Sequence, residues 1–125
     1  MDSVRTIRGR RIDGTGGEWD VIRVSRSLGL DALGVLGHRS GAVLEDPSSA
    51  ALYFFVAEVT PGEWDVAGTR VLGHGDPIVI PPLRRTRGPG PHWRVCPGDG
   101  GWPTEGSVLR AALEGATGPS ARGVL

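Results

Sequence analysis

The run Ala51-Leu52-Tyr53-Phe54-Phe55-Val56 is the most apolar stretch of the chain, and its reading decides the fold. It is too short for a typical helix, and an unbroken apolar run rich in aromatics marks a strand covered on both faces. Such a strand belongs near the middle of a sheet. Just before it, Ala42 to Glu45 reads as a neighbouring strand, and Asp46-Pro47-Ser48-Ser49 supplies the turn chemistry that joins the two.

Working outward, Trp19 to Val24 forms a short β pattern that ends at Ser25. From Ser27 the spacing of Leu28, Ala32, Leu33, Val35 and Leu36 becomes helical, with Gly37 suited to the residue just past a helix end. Gly29 and Gly34 inside it each cost about 1 kcal/mol relative to Ala, so this helix must be short and must depend on docking against the sheet. On the other side, Thr60-Pro61-Gly62 marks a turn, Arg70 to Leu72 a brief strand, and Pro77-Ile78-Val79-Ile80 a buried strand halted by Pro81-Pro82. Trp93 to Val95 closes the sheet. Val108, Leu109, Ala112 and Leu113 predict a last helix with Thr104 as N-cap and Gly115 just beyond it. The expectation is an α+β domain: a mixed or antiparallel sheet of five or six strands with two short helices packed on one face.

Length and composition agree with one such unit. A chain of 125 residues supports a single core, and 21 Gly with 10 Pro argue for short elements and many turns. Residues 1–17 carry few apolar side chains and four glycines, so they are expected to form a flexible basic arm, with the domain over 18–115 and a disordered tail over 116–125. The chain has no Lys, Asn or Gln, and all 14 basic residues are Arg, a bias that reads as the codon usage of a GC-rich bacterium. Arg abundance alone therefore says little about recognition.

Cys96 is the only cysteine, which excludes an internal disulfide or a cysteine metal cluster and fits a reducing compartment. No secretory leader opens the sequence, and no apolar run has the length to span a bilayer; the expected location is the cytoplasm, with no membrane partner. Net charge is zero, but its distribution is uneven: basic segments around Arg5, Arg8, Arg10 and Arg11 and around Arg84, Arg85, Arg87 and Arg94 flank an acidic body. Gly17-Glu18-Trp19-Asp20-Val21 recurs as Gly62-Glu63-Trp64-Asp65-Val66, but the flanks diverge at once and no repeat architecture follows.

The order of these elements resembles the bacterial primase-polymerase N-terminal domain family, in a degenerate and truncated form. The likeness runs over about residues 18 to 113. It rests on Ala51 to Val56, on Val71-Leu72-Gly73-His74-Gly75-Asp76-Pro77-Ile78-Val79-Ile80-Pro81-Pro82, and on the return through Gly90-Pro91-His92-Trp93-Arg94. Active members of the family hold divalent ions with acids on two strands and place a His near the nucleotide. Carried onto this chain, the first acidic pair falls at Arg23 and Ser25, the His at Ala51 and the later acid at Arg70. Hard cations need carboxylate oxygens, and guanidinium repels them. The resemblance therefore implies the family's fold while the residues predict no catalysis, no metal site and no cofactor.

His38, His74 and His92 lack the close spacing of a metal site. Cys96, with no neighbouring His, is expected to be a buried inert thiol. The best candidate site is Arg84, Arg85, Arg87, His92, Trp93 and Arg94, which sets guanidinium groups beside an indole, as phosphate neutralisation with base stacking requires. The plain alternative is a solvated loop with Trp93 in the core. Arg5, Arg8, Arg10 and Arg11 form a secondary candidate, an arm for a phosphate backbone. The expected function is a non-catalytic module that binds nucleic acid or a nucleotide weakly, or regulates. The alternative is a protein-interaction or self-associating scaffold domain that uses the acidic body or an exposed Trp64 or Trp102.

Overall fold

The computed structural model describes residues 5–8, 20–56, 64–72, 77–97 and 103–117. Five strands make an antiparallel sheet: β2 (Asp20–Ser25), β3 (Val43–Asp46), β4 (Ala51–Val56), β5 (Thr69–Val71) and β7 (His92–Val95), in the order β5-β2-β4-β3-β7. β1 (Arg5–Arg8) and β6 (Pro77–Ile80) pair separately as a two-stranded antiparallel ribbon. Two helices, α1 (Arg26–Leu36) and α2 (Gly106–Thr117), complete the domain. The α+β class and the antiparallel five-stranded sheet are as expected from the sequence.

The central place of β4 follows from its composition. Leu52, Phe54 and Val56 point to one face, where they join Ile22, Val24 and Val43 under Ala32 and Leu36 of α1 and Leu109, Ala112 and Leu113 of α2. Phe55 and Tyr53 point to the other, with Val21, Leu44, Leu72 and Trp93 beneath Ile78 and Ile80 of the ribbon. Both helices therefore pack on one face, as expected, and both faces of β4 are covered because the ribbon lies over the other. β6, expected within the sheet, lies across it instead: an apolar Pro-bounded strand can cover a sheet as readily as extend it. Residues 5–8, expected in a flexible arm, are the other half of that ribbon, with Arg5 opposite Ile80 and Arg8 opposite Pro77. At the other end α2 continues through Thr117 with Ala116 buried, past the expected end at residue 115.

Local chemistry explains the element ends. Asp46 accepts from the Ser48 backbone N–H, which turns the chain through Pro47–Ser49, and Ala50 completes the reversal in the left-handed region at φ 51°. α1 stops at Gly37, whose positive φ of 56° is cheap only for glycine. Thr104 is not a helix cap as expected. It is buried, its N–H donates to the Phe55 carbonyl at 2.7 Å, and its Oγ1 accepts from Gly41 N at 2.8 Å, tying the approach to α2 onto β4.

The two internal glycines of α1 have opposite surroundings, which makes a paired prediction. A Cβ on Gly34 meets nothing within 4 Å, whereas one on Gly29 would lie 2.6 Å from Leu52 Cδ1 in the closed core. Gly34→Ala is expected to stabilise the protein by up to about 1 kcal/mol through helix propensity. Gly29→Ala is expected to destabilise it by about 1–2 kcal/mol, because overpacking outweighs the same propensity gain. Urea unfolding of the two variants checks the opposite signs.

Candidate functional site

The segment between β6 and β7 carries the basic residues singled out from the sequence. Its shape is set by residues that face inward. Arg85 N–H donates to the Pro82 carbonyl at 3.0 Å, closing a turn, and the Trp93 N–H donates to the Arg85 carbonyl at 2.8 Å. Arg84 and Arg87 are left exposed, with Arg85 half-buried and Leu83 exposed beside them.

Trp93 holds this loop from below. Its side chain is 1% exposed, its ring lies 5.8 Å from that of Phe55, and its indole N–H donates to the Pro82 carbonyl at 3.0 Å. An indole enclosed in this way offers no face to a base, so a stacking role for Trp93 is withdrawn. Its anchoring role makes the loop's course a consequence of core packing.

His92 and Arg94 lie in a cluster that sequence reasoning missed. Glu45, with a side chain only 6% exposed, is met by Arg26 Nε at 2.7 Å, Arg94 Nη1 at 3.3 Å and His92 Nε2 at 3.4 Å. The other ring nitrogen of His92 lies 2.9 Å from the Gly90 carbonyl. With both nitrogens occupied and the ring buried, His92 braces the loop and does not reach outward. Burial alone would raise the Glu45 pKa; the hydrogen bond and charge of Arg26, with the charges of Arg94 and His92, outweigh it and hold the carboxyl below its ordinary range. The signal was present in the sequence: alternation along Val43-Leu44-Glu45 places the acid on the face that Val43 buries.

The four positions that the family resemblance marks fall together on the opposite face of the sheet. Arg23 and Ser25 alternate along β2 with the helix-side residues Ile22 and Val24. Ser25 pairs directly with Ala51 of β4, and Arg23 with Arg70 of β5. Beside them a shallow cleft with room for about 80 Å³ is lined by Leu44, Asp46, Tyr53, Ile78, Val79 and Pro91. Among the described residues no three His, Cys, Asp or Glu side chains converge as a metal site would require.

Other candidates resolve individually. Cys96 is exposed, against the expectation of a buried thiol, because it stands just past the end of β7. Trp64 is half-buried against the helix-side core, its indole N–H donates to Thr69 Oγ1 at 2.8 Å, and the Arg110 guanidinium lies 6.0 Å from its ring, so it is not an exposed interface aromatic. His38 is exposed next to the end of α1. Arg10, Arg11, His74 and Trp102 lie outside the described residues, as do the side chains of Arg5 and Arg8. Among the described residues no helix is long and apolar enough to cross a membrane. Comparison with known protein families, with characterised proteins and with solved structures returns no match.

Proposed function

We propose that this chain is a catalytically silent domain of the primase-polymerase type, acting in the cytoplasm, that binds nucleic acid weakly through the loop between β6 and β7. The observation that supports the first part is the clustering of Arg23, Ser25, Ala51 and Arg70. Four positions chosen from sequence likeness alone lie in two cross-strand pairs on one face of one sheet. Arg23 and Ser25 share that face because they stand two residues apart on β2, and Arg70 and Ala51 join them as their ladder partners. The residues there are two guanidinium groups, a hydroxyl and a methyl, which cannot hold the divalent ions that phosphoryl transfer uses.

The binding part rests on Arg84 and Arg87, exposed on a loop whose backbone is fixed by Trp93 and His92. A preformed loop that presents cations loses little entropy on contact with phosphates, and its affinity is electrostatic. Labelled single-stranded DNA titrated at increasing salt tests this. Binding is expected at about 50 mM salt, and Arg84→Ser with Arg87→Ser is expected to flatten the plot of log affinity against log salt by about 1.4, the release of two counterions. Absence of binding at that low salt would contradict the reading.

A further inference from the structure

Among the described residues the large apolar side chains left exposed are Val35, at 53%, and Leu83, at 52%. A single exposed apolar residue needs no explanation, so the surroundings decide. Near Val35 on α1, Arg39 is engaged on the chain itself: Nη2 donates to the Val35 carbonyl at 3.2 Å and Nε to the Leu36 carbonyl at 3.4 Å. Next to Leu83 in sequence, Arg84 and then Arg87 are exposed, and among the described residues neither makes a hydrogen bond or an ion pair. Arg85 does interact within the chain and is not counted with them.

Leu83 and Arg84 are the central residues of the turn that the Arg85 N–H closes onto the Pro82 carbonyl at 3.0 Å. The same carbonyl accepts from the Trp93 indole N–H, also at 3.0 Å. A carbonyl held by two donors, one of them in the core, fixes the turn, so its apolar corner stands in water before any partner arrives.

An apolar corner beside two solvated guanidinium groups complements a ligand that joins an apolar face to negative charge. An unpaired nucleotide has both, a base face and a phosphate. A duplex hides its base faces in the stack, and wedging a step open has a cost that proteins offset by wrapping bent DNA over a large surface, which one turn lacks. Nor does an anionic bilayer fit: one acyl chain anchors only marginally, and one leucine buries less.

We propose that Leu83 is the base-contacting residue of the loop between β6 and β7, in the role that the enclosed indole of Trp93 cannot fill, with Arg84 and Arg87 on adjoining phosphates. This rests on the nucleic-acid reading of the loop and adds what the loop holds, an unpaired base.

The test is fluorescence anisotropy of the full chain at about 50 mM salt with labelled probes of equal length: a thymidine oligonucleotide, an abasic strand and a duplex. The parent is expected to bind the thymidine strand about fivefold more tightly than the abasic strand, the low end of what stacking on a side chain contributes. Leu83→Ser, at a position outside the core, is expected to lose that fivefold and to bind the abasic strand and the duplex as the parent does. Its salt dependence stays that of the parent, whereas Arg84→Ser with Arg87→Ser flattens it. Leu83→Phe, with a larger flat face, is expected to bind the thymidine strand more tightly than the parent. Equal affinity of parent and Leu83→Ser for the thymidine strand, or an equal loss on the abasic strand, would overturn the proposal and leave the phosphate contacts standing. Dependence on Leu83 seen only with the duplex, or only with phosphatidylserine vesicles, would overturn it in favour of those ligands. If the parent binds none of the nucleic-acid probes at this salt, the reading of the loop itself fails and the role of Leu83 with it.

Discussion

Trp93→Ala is expected to lower the unfolding free energy by about 3–5 kcal/mol, the cost of emptying a large aromatic site in a closed core. Trp93 fills the space between β4 and the ribbon, touches Phe55, and satisfies the Pro82 carbonyl. A surface residue poised for base stacking would behave otherwise, with a stability change within about 0.5 kcal/mol and a large loss of DNA affinity. Trp93→Phe keeps the comparison usable if the alanine variant fails to fold. It retains most of the packing, loses the indole N–H, and is expected to bind single-stranded DNA nearly as well as the parent. Urea unfolding with DNA titration of Trp93→Phe separates the two roles; a well-folded variant with abolished DNA binding would return Trp93 to the interface.

Glu45→Ala is expected to cost about 2 kcal/mol or somewhat more. Breaking a buried ion pair by removing one partner costs about 3–5 kcal/mol when the charge left behind stays buried. Here the side chains of Arg26 and Arg94 are 48% and 38% exposed and can turn to water, which reduces the penalty, while His92 at 11% cannot. The pH dependence carries a definite sign. The Glu45 carboxyl titrates below its ordinary value of 4.5 when folded, so the unfolded chain takes up its proton first as pH falls. Asp46 acts in the same direction: burial raises its pKa, and the hydrogen bonds of Ser48 and Ser49 with the charge of Arg23 lower it further, below 3.8. Stability from both groups is complete above those ordinary values and is lost as pH drops through the folded ones. Unfolding by urea from neutral to acidic pH is expected to show this decline, and Glu45→Gln to flatten it; an equally steep decline in Glu45→Gln would assign the effect to other acids.

What could be read from the sequence was set by local signals. The run Ala51–Val56 has one reading, a buried central strand, and Gly37 ends its helix because only glycine takes that backbone cheaply. The partner of β6 was not readable in this way. An apolar strand bounded by prolines carries no mark that it will sit across a sheet and not within it, and its partner β1, rich in arginine, has no hydrophobic period. The site divided along the same line. Exposure of Arg84 and Arg87 follows from a polar run after Pro81-Pro82, whereas the burial of Trp93 and the gathering of Arg26, His92 and Arg94 around Glu45 depend on contacts between segments far apart in the chain. The pairing of Arg23 with Arg70 needs the register of β2 against β5, which no single segment encodes.

The claim that the Arg23, Ser25, Ala51 and Arg70 face is inert toward metal-dependent chemistry is tested most directly by titrating the labelled full chain with manganese and following amide line broadening. Broadening at the amides of these four residues is expected to be no stronger than at exposed acids elsewhere and not to saturate. Selective, saturable broadening at Ser25, Ala51 and Arg70 at low manganese concentration would contradict it.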